Sequence, residues 1–160
     1  MLIREIRPED DPVIAKIIRK VMSEFDADPK TTILGDPTLD RMYSNYQSPK
    51  SVYFIIEEND VIVGGCGIKH LDNSTENICE LQRMFLLPES RGKGFGKSLI
   101  DMCIKKAKEF NYDEIYIETL SQMKRAISIY IITGFTELKD TKGNTGHSGC
   151  NVYMSMKLNK

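Results

Sequence analysis

The sequence has no excess charge of either sign. Its 22 Lys and Arg stand against 23 Asp and Glu, a formal net charge of −1. Bulk attraction to nucleic acid or to an anionic membrane is therefore not its organising property, and neither is an expected partner. It lacks any apolar run approaching the roughly 20 residues of a membrane-spanning helix, and no signal-peptide pattern opens it at Met1. It has few cysteines. Cys66, Cys79, Cys103 and Cys150 are scattered without a Cys-x-x-Cys pair. Most sit in apolar segments, as free buried thiols do in a reducing cytoplasm, so a cytoplasmic protein is expected. Metal ligands are scarce too. His147 and Cys150 are near one another, but a zinc site takes three or four ligands, so no metal is expected. Internal repeats are absent, and a chain of 160 residues with 41% hydrophobic content is expected to be one domain, 1–160.

What the chain does have is one highly structured stretch, Glu80 to Phe110. An apolar strand pattern through Leu87 meets Pro88. The turn Glu-Ser-Arg-Gly-Lys-Gly-Phe-Gly-Lys-Ser follows, and then a helical pattern from Leu99 to Phe110. Gly92, Gly94 and Gly96 alternate in that turn. Glycine tolerates positive φ and offers no side chain to block a ligand. The helix behind the turn adds unpaired N–H groups and a positive dipole end. Such a junction suits a phosphate-bearing ligand, and Arg91, Lys93 and Lys97 place positive charge around it.

Two familiar phosphate motifs fail on spacing. A P-loop ending in Gly96-Lys97-Ser98 requires glycine where Arg91 stands. The dinucleotide fingerprint requires glycine where Lys97 stands. Arg91-Gly92-Lys93-Gly94-Phe95-Gly96 instead resembles the R/Q-x-x-G-x-G/A signature of the GCN5-related N-acetyltransferase (GNAT) family. Glu80 and Pro88 before the loop match the family's pattern, as do Ala126, Tyr130, Gly134 and Phe135 after it. The resemblance implies an α/β, single-domain acyl-CoA N-acyltransferase fold with a mixed central sheet flanked by helices. It implies acetyl-CoA as co-substrate and an amine as acceptor. The pyrophosphate contacts would come from Arg91, Gly92, Lys93, Gly94, Phe95, Gly96, Lys97 and Ser98. The oxyanion and pantetheine contacts would come from the main chain of Met84, Phe85 and Leu86. Homodimers are common in such families. A binding module that senses acyl-CoA without turnover is the alternative from another class.

The remaining patterns fit that architecture. Leu2 to Arg7 alternates as a strand, and Asp11 with Pro12 opens a helix to about Phe25. A loop, Asp26 to Pro37, precedes a helical pattern from Thr38 to Tyr46 whose aromatics suit packing. Val52–Glu57 and Val61–Leu71 read as a hairpin about Glu58-Asn59-Asp60. Gly64, Gly65 and Gly67 in the returning strand suggest a bulge or close backbone contact. Ile78 to Leu87 is the next strand. Glu114 to Leu120 follows the crossover helix as its parallel partner. A helix from Ser121 or Gln122 ends at Gly134, and the strands Phe135–Leu138 and Cys150–Leu158 flank a polar glycine-rich loop.

Acetyl transfer to an amine needs a proton acceptor, oxyanion donors and an acid for the leaving thiolate. By resemblance Tyr130 would sit near the coenzyme sulfur as that acid. Its ordinary alternative is a packed core tyrosine. Glu80 matches the family's strand glutamate that deprotonates the amine through water. Alternation places it on one face with Ile78, Gln82, Met84 and Leu86. Glu118, between Tyr116 and Leu120 on the next strand, is a second carboxylate candidate, and either glutamate could instead be ion-paired. His147, in a loop that returns over the active site in the family, is a further base or substrate contact, or simply an exposed histidine. Where the family often has Asn before the second helix, this chain has Met123, so that contact falls to backbone or Ser121.

These readings predict that acetyl-CoA, but neither ATP with magnesium nor NAD, raises the unfolding temperature. A ligand at about 100 times its Kd adds about 2.7 kcal/mol. Gly94→Glu abolishes the shift.

Overall fold

The computed structural model describes residues 1–158. Its centre is one seven-stranded sheet in the order β1-β2-β3-β4-β5-β7-β6. The strands are β1 (Leu2–Glu5), β2 (Val52–Glu58), β3 (Val61–His70), β4 (Ile78–Leu86), β5 (Glu114–Thr119), β6 (Thr136–Leu138) and β7 (Val152–Lys157). Among the described residues only β4 and β5 pair in parallel; the other neighbours are antiparallel. The helices are α1 (Asp11–Ser23), the short α2 (Met42–Asn45), α3 (Phe95–Glu109) and α4 (Lys124–Thr133). This is the mixed α/β architecture expected. No helix among the described residues is long and apolar enough to cross a membrane.

Strand alternation sends apolar side chains to both faces, so each face carries a core. On one, Leu99, Cys103 and Ala107 of α3 and Tyr130 of α4 pack on Phe54, Ile56, Leu81, Ile115 and Ile117. On the other, Ile14, Ile18 and Val21 of α1 pack with Met42, Tyr53, Ile55 and Phe85. Asn59 and Asp60 both adopt positive φ, 52° and 61°, in the β2–β3 turn. That is the geometry two-residue hairpins favour. Gly134 closes α4 in the left-handed region at φ 110°, and its N–H bonds to the Ile131 carbonyl.

Four local boundaries move. Asp11 begins α1 with Asp10 before it, and its carboxylate accepts the Tyr43 N–H at 2.7 Å rather than capping the helix. The Thr38–Tyr46 pattern divides into a 3-10 turn, Pro37–Asp40, and α2. The crossover helix begins at Phe95, within the glycine turn. The second helix begins at Lys124, because Ser121 is held outside it by Asn151.

The consequential correction lies in β4. Gly65 pairs with Phe85 and Gly67 with Gln82, so Cys66 of β3 faces two residues, Arg83 and Met84. This is a bulge on the strand opposite the glycines, and Arg83 carries it at φ 53°. The extra residue inverts the alternation. Leu81, Met84 and Leu86 join the α3 core, whereas Phe85 joins the α1 core. Glu80 therefore does not share a face with Met84 and Leu86.

The glycines of β3 let the neighbouring strands close around the bulge. A Cβ on Gly65 would lie 2.5 Å from Tyr53 Cε1 and 2.6 Å from the Phe54 carbonyl oxygen. Gly65→Ala is expected to cost about 1–3 kcal/mol through overpacking, read as a lower urea midpoint. An unchanged midpoint would show that the sheet accommodates the methyl group.

Candidate active site

Three residue pairs join β4 to β5: Ile78 with Glu114, Cys79 with Ile115 and Glu80 with Tyr116. Past them β4 continues to Leu86 and β5 to Thr119 without pairing to each other, so the strands diverge. A cleft of about 620 Å³ opens on one side of the gap, lined by Met84, Phe85 and Leu86 of β4, the glycine turn and the start of α4. Gly92 and Gly94 adopt φ 75° and 81°, and a Cβ at either would meet nothing within 4 Å. The first N–H groups of α3, at Phe95, Gly96 and Lys97, have no acceptor inside the helix. Space and donors together fit a phosphate group of an extended ligand.

The expected turn residues divide in their placement. Arg91, Gly92, Gly94, Gly96 and Lys97 line the cleft, together with Met84, Phe85 and Leu86. Phe95 points into the core instead. Ser98 bonds to the Gly94 carbonyl, and Lys93 turns away to Glu58 at 2.8 Å. The expected cationic ring is largely neutralised. Arg91 pairs with Glu24 at 2.8 Å and bonds to the Leu86 carbonyl, while Lys97 pairs with Asp101 at 2.6 Å. Lys124 and Arg125, at the start of α4, line the cleft and make no ion pair among the described residues.

A second cavity of about 80 Å³ lies on the other side of the gap and shares Met84, Phe85 and Met123 with the cleft. It brings together Glu80, Glu118, Tyr130 and His147. Glu80 is only 4% exposed. Burial pushes its acid up to about 7, opposed by the Gln82 amide, which donates to Oε2 at 2.6 Å, and reinforced by the Glu118 and Asp72 charges. Glu118 accepts from the Tyr116 hydroxyl at 2.8 Å and from the Thr145 hydroxyl at 2.5 Å, so both its oxygens are engaged. Tyr130 is buried with its ring edge-on to Phe135, and its hydroxyl makes no hydrogen bond to the protein among the described residues. Burial holds that phenol above its usual range. His147 faces Asp36 at 3.8 Å, and Asp36 is paired with Arg83 at 2.8 Å. No group of three or more His, Cys, Asp or Glu among the described residues is placed to hold a metal ion.

The sequence matches the model of the Acetyltransferase (GNAT) family over residues 19–135. The chain belongs to the GNAT family. It is 39% identical over 159 residues to the uncharacterized N-acetyltransferase YjgM of Escherichia coli K12, covering 98% of this chain and 95% of that protein. The fold is similar to a GNAT-family acetyltransferase from Staphylococcus aureus MU50, with TM-score 0.86, 26% identity and 99% of both chains covered. It is also similar to yncA of Salmonella typhimurium, solved with its cofactor acetyl-CoA, with TM-score 0.77, 19% identity and 100% and 95% of the two chains covered.

This GNAT chain is thus an acetyltransferase, and its larger cleft carries the family's loop. Several lining residues escape a motif reading. Gln122, Lys124, Arg125 and Ile129 belong to α4 and its approach, beyond the glycine signature. One signal was available: two cations opening a helix are unfavourable against the dipole unless an anion joins them. Met123, in the family's frequent Asn position, lies where the two cavities meet, and Ser121 is occupied by Asn151.

The weakened acidity of Glu80 has a definite sign. The fold favours its neutral form, so ionisation costs stability progressively as pH rises from the ordinary value of 4.5 through about 7. Glu80→Gln should therefore gain thermal stability relative to wild type as pH increases across that interval. A pH-independent difference would contradict the burial penalty.

Proposed function

We propose that residues 1–160 work as one cytoplasmic N-acetyltransferase domain that moves acetyl from acetyl-CoA to a primary amine of a small molecule or peptide. The amine attacks directly while both substrates are bound. The observation that carries this reading is the junction of the two cavities at Met84, Phe85 and Met123. A thioester lying in the larger cleft and an amine entering the smaller cavity would meet there. Bringing reactants together in this way supplies much of a transfer rate.

Each side chain then has a task. Ionised Glu80 takes, directly or through water, the proton that a neutral amine sheds as it attacks. The nitrogen forms a bond to the thioester carbonyl carbon. Main-chain N–H groups beside Met84 and Leu86 receive the developing oxyanion. The carbon–sulfur bond breaks, and Tyr130 gives its proton to the departing thiolate. Glu118 and His147 shape the cavity, since both already face other polar groups. Gly92, Gly94 and the N-terminus of α3 hold the pyrophosphate, and Lys124 and Arg125 add charge at the same cleft. The smaller cavity, lined by Glu80 and Tyr130, takes the amine end of the acceptor.

Cys150 supports the direct route over an acetyl-enzyme. It lines the smaller cavity, but burial and the Glu118 and Glu80 charges push its thiol up to about 12, so it is not an available thiolate.

Initial-rate lines should intersect when acetyl-CoA and amine are varied together, and Cys150→Ala should retain turnover. Parallel lines with an isolable acetyl-cysteine would replace the direct mechanism. Tyr130→Phe should lower kcat by about 100-fold while leaving acetyl-CoA binding intact. Full turnover in that variant would remove the tyrosine from proton transfer.

A further inference from the structure

We propose that Tyr46 and Gln82 are positioning residues for acetyl transfer: they grip one oxygen of Glu80 and so leave the other facing the acceptor cavity. The inference rests on the reading of Glu80 as the base.

The chain of contacts is short and directional. The Tyr46 hydroxyl donates to Gln82 Oε1 at 2.9 Å, and Gln82 Nε2 donates to Glu80 Oε2 at 2.6 Å. A primary amide has one acceptor oxygen and one donor NH₂ group. Once Tyr46 occupies the oxygen, the NH₂ must face Glu80. An ionised carboxylate can accept only that orientation. Burial keeps the Tyr46 phenol neutral, so it holds the proton it donates.

Glu80 Oε1 has no hydrogen-bond partner among the described residues, yet no buried side-chain oxygen or nitrogen there is left unpartnered. Oε1 is therefore open to the cavity that Glu80 lines. Other charged and titratable groups surround the carboxylate without bonding to it. They are Glu118 and Tyr116 from β5, Asp72 from the β3–β4 turn, and Arg83 from β4 itself. Lys69 is its register partner on β3, and His147 and Cys150 lie across the cavity. Gln82 is the one hydrogen-bond donor to the Glu80 carboxylate among the described residues.

The fold reserves space for this arrangement. Tyr46 closes α2, and its ring lies 5.1 Å from Tyr53 and beneath the Arg83 guanidinium. A Cβ on Gly67 would come within 2.8 Å of Tyr46 Cε1, so the bare glycine admits the ring. Gln82 is the last residue of β4 before the bulge, where the strand still follows the alternation set by Glu80.

The test is the pH profile of kcat/KM for wild type, Glu80→Gln, Gln82→Met and Tyr46→Phe, with acetyl-CoA affinity and unfolding temperature measured in parallel. Losing a hydrogen bond to the charged carboxylate should move the acidic limb upward by about one pH unit in Gln82→Met. Tyr46→Phe, which keeps the ring, should move it the same way by less. Acetyl-CoA affinity should hold in both. If Glu80→Gln removes the limb but neither other variant moves it, the positioning role is overturned and the base survives. If Glu80→Gln leaves the limb in place, the base assignment fails and the positioning role falls with it.

Discussion

The hydrogen bonding between β4 and β5 stops at Glu80 and Tyr116, and both cavities exist because it stops there. Two parallel strands normally satisfy each other along their length. Here a residue too many in β4, at Arg83 and Met84, bends that strand away while it remains paired with β3. The backbone beyond the divergence has polar groups to offer a ligand. Arg83 holds the bulge in a left-handed conformation unusual for a large side chain. Its guanidinium is bound to Asp36, Thr38 and the Met42 sulfur, while its carbonyl accepts the Tyr53 hydroxyl. Both ends of the residue are thus held by packed segments, as a sparsely populated conformation requires.

The same bulge separates the labours of the two faces. Before it, Glu80 and Gln82 point to the smaller cavity. After it, Met84 and Leu86 point to the α3 side, beside the glycine turn. The two carboxylates of the smaller cavity also differ through their neighbours. Glu118 has two hydroxyl donors, and Thr145 ties it to the β6–β7 loop that carries His147. Glu80 is deeper, has one donor and feels the Glu118 charge. Environments that differ in this way distinguish a proton acceptor from a structural carboxylate.

Much of this was legible along the chain. The glycine turn, its helix and the Gly134 terminus depend on backbone freedom at single residues, so local composition reveals them. The hairpin at Asn59 and Asp60 was visible for the same reason. Tyr130 and Glu80 were singled out through the family's spacing, and Glu118 through its place on the strand after the crossover. The face of Met84 and Leu86 was misread because alternation assumes uninterrupted pairing. A bulge depends on two strands together, and the glycines that accommodate it stand on the other strand. The pairing of Arg91 and Lys93 was not legible because their partners are far away in sequence, whereas Lys97 finds Asp101 one helical turn on. Glu24 is 67 residues from Arg91, and Glu58 is 35 from Lys93.

By itself the sequence determined the glycine turn, which helices and strands flank it, and to which family the chain belongs. Those properties follow from φ freedom, helix ends and residue spacing, all local along the chain. Only the tertiary structure decided which cations at the cleft make no ion pair among the described residues, which glutamate lies buried beside the smaller cavity, and that Tyr46 reaches it through Gln82. Those properties depend on desolvation and on contacts between distant segments, which exist only once the sheet has closed around its gap.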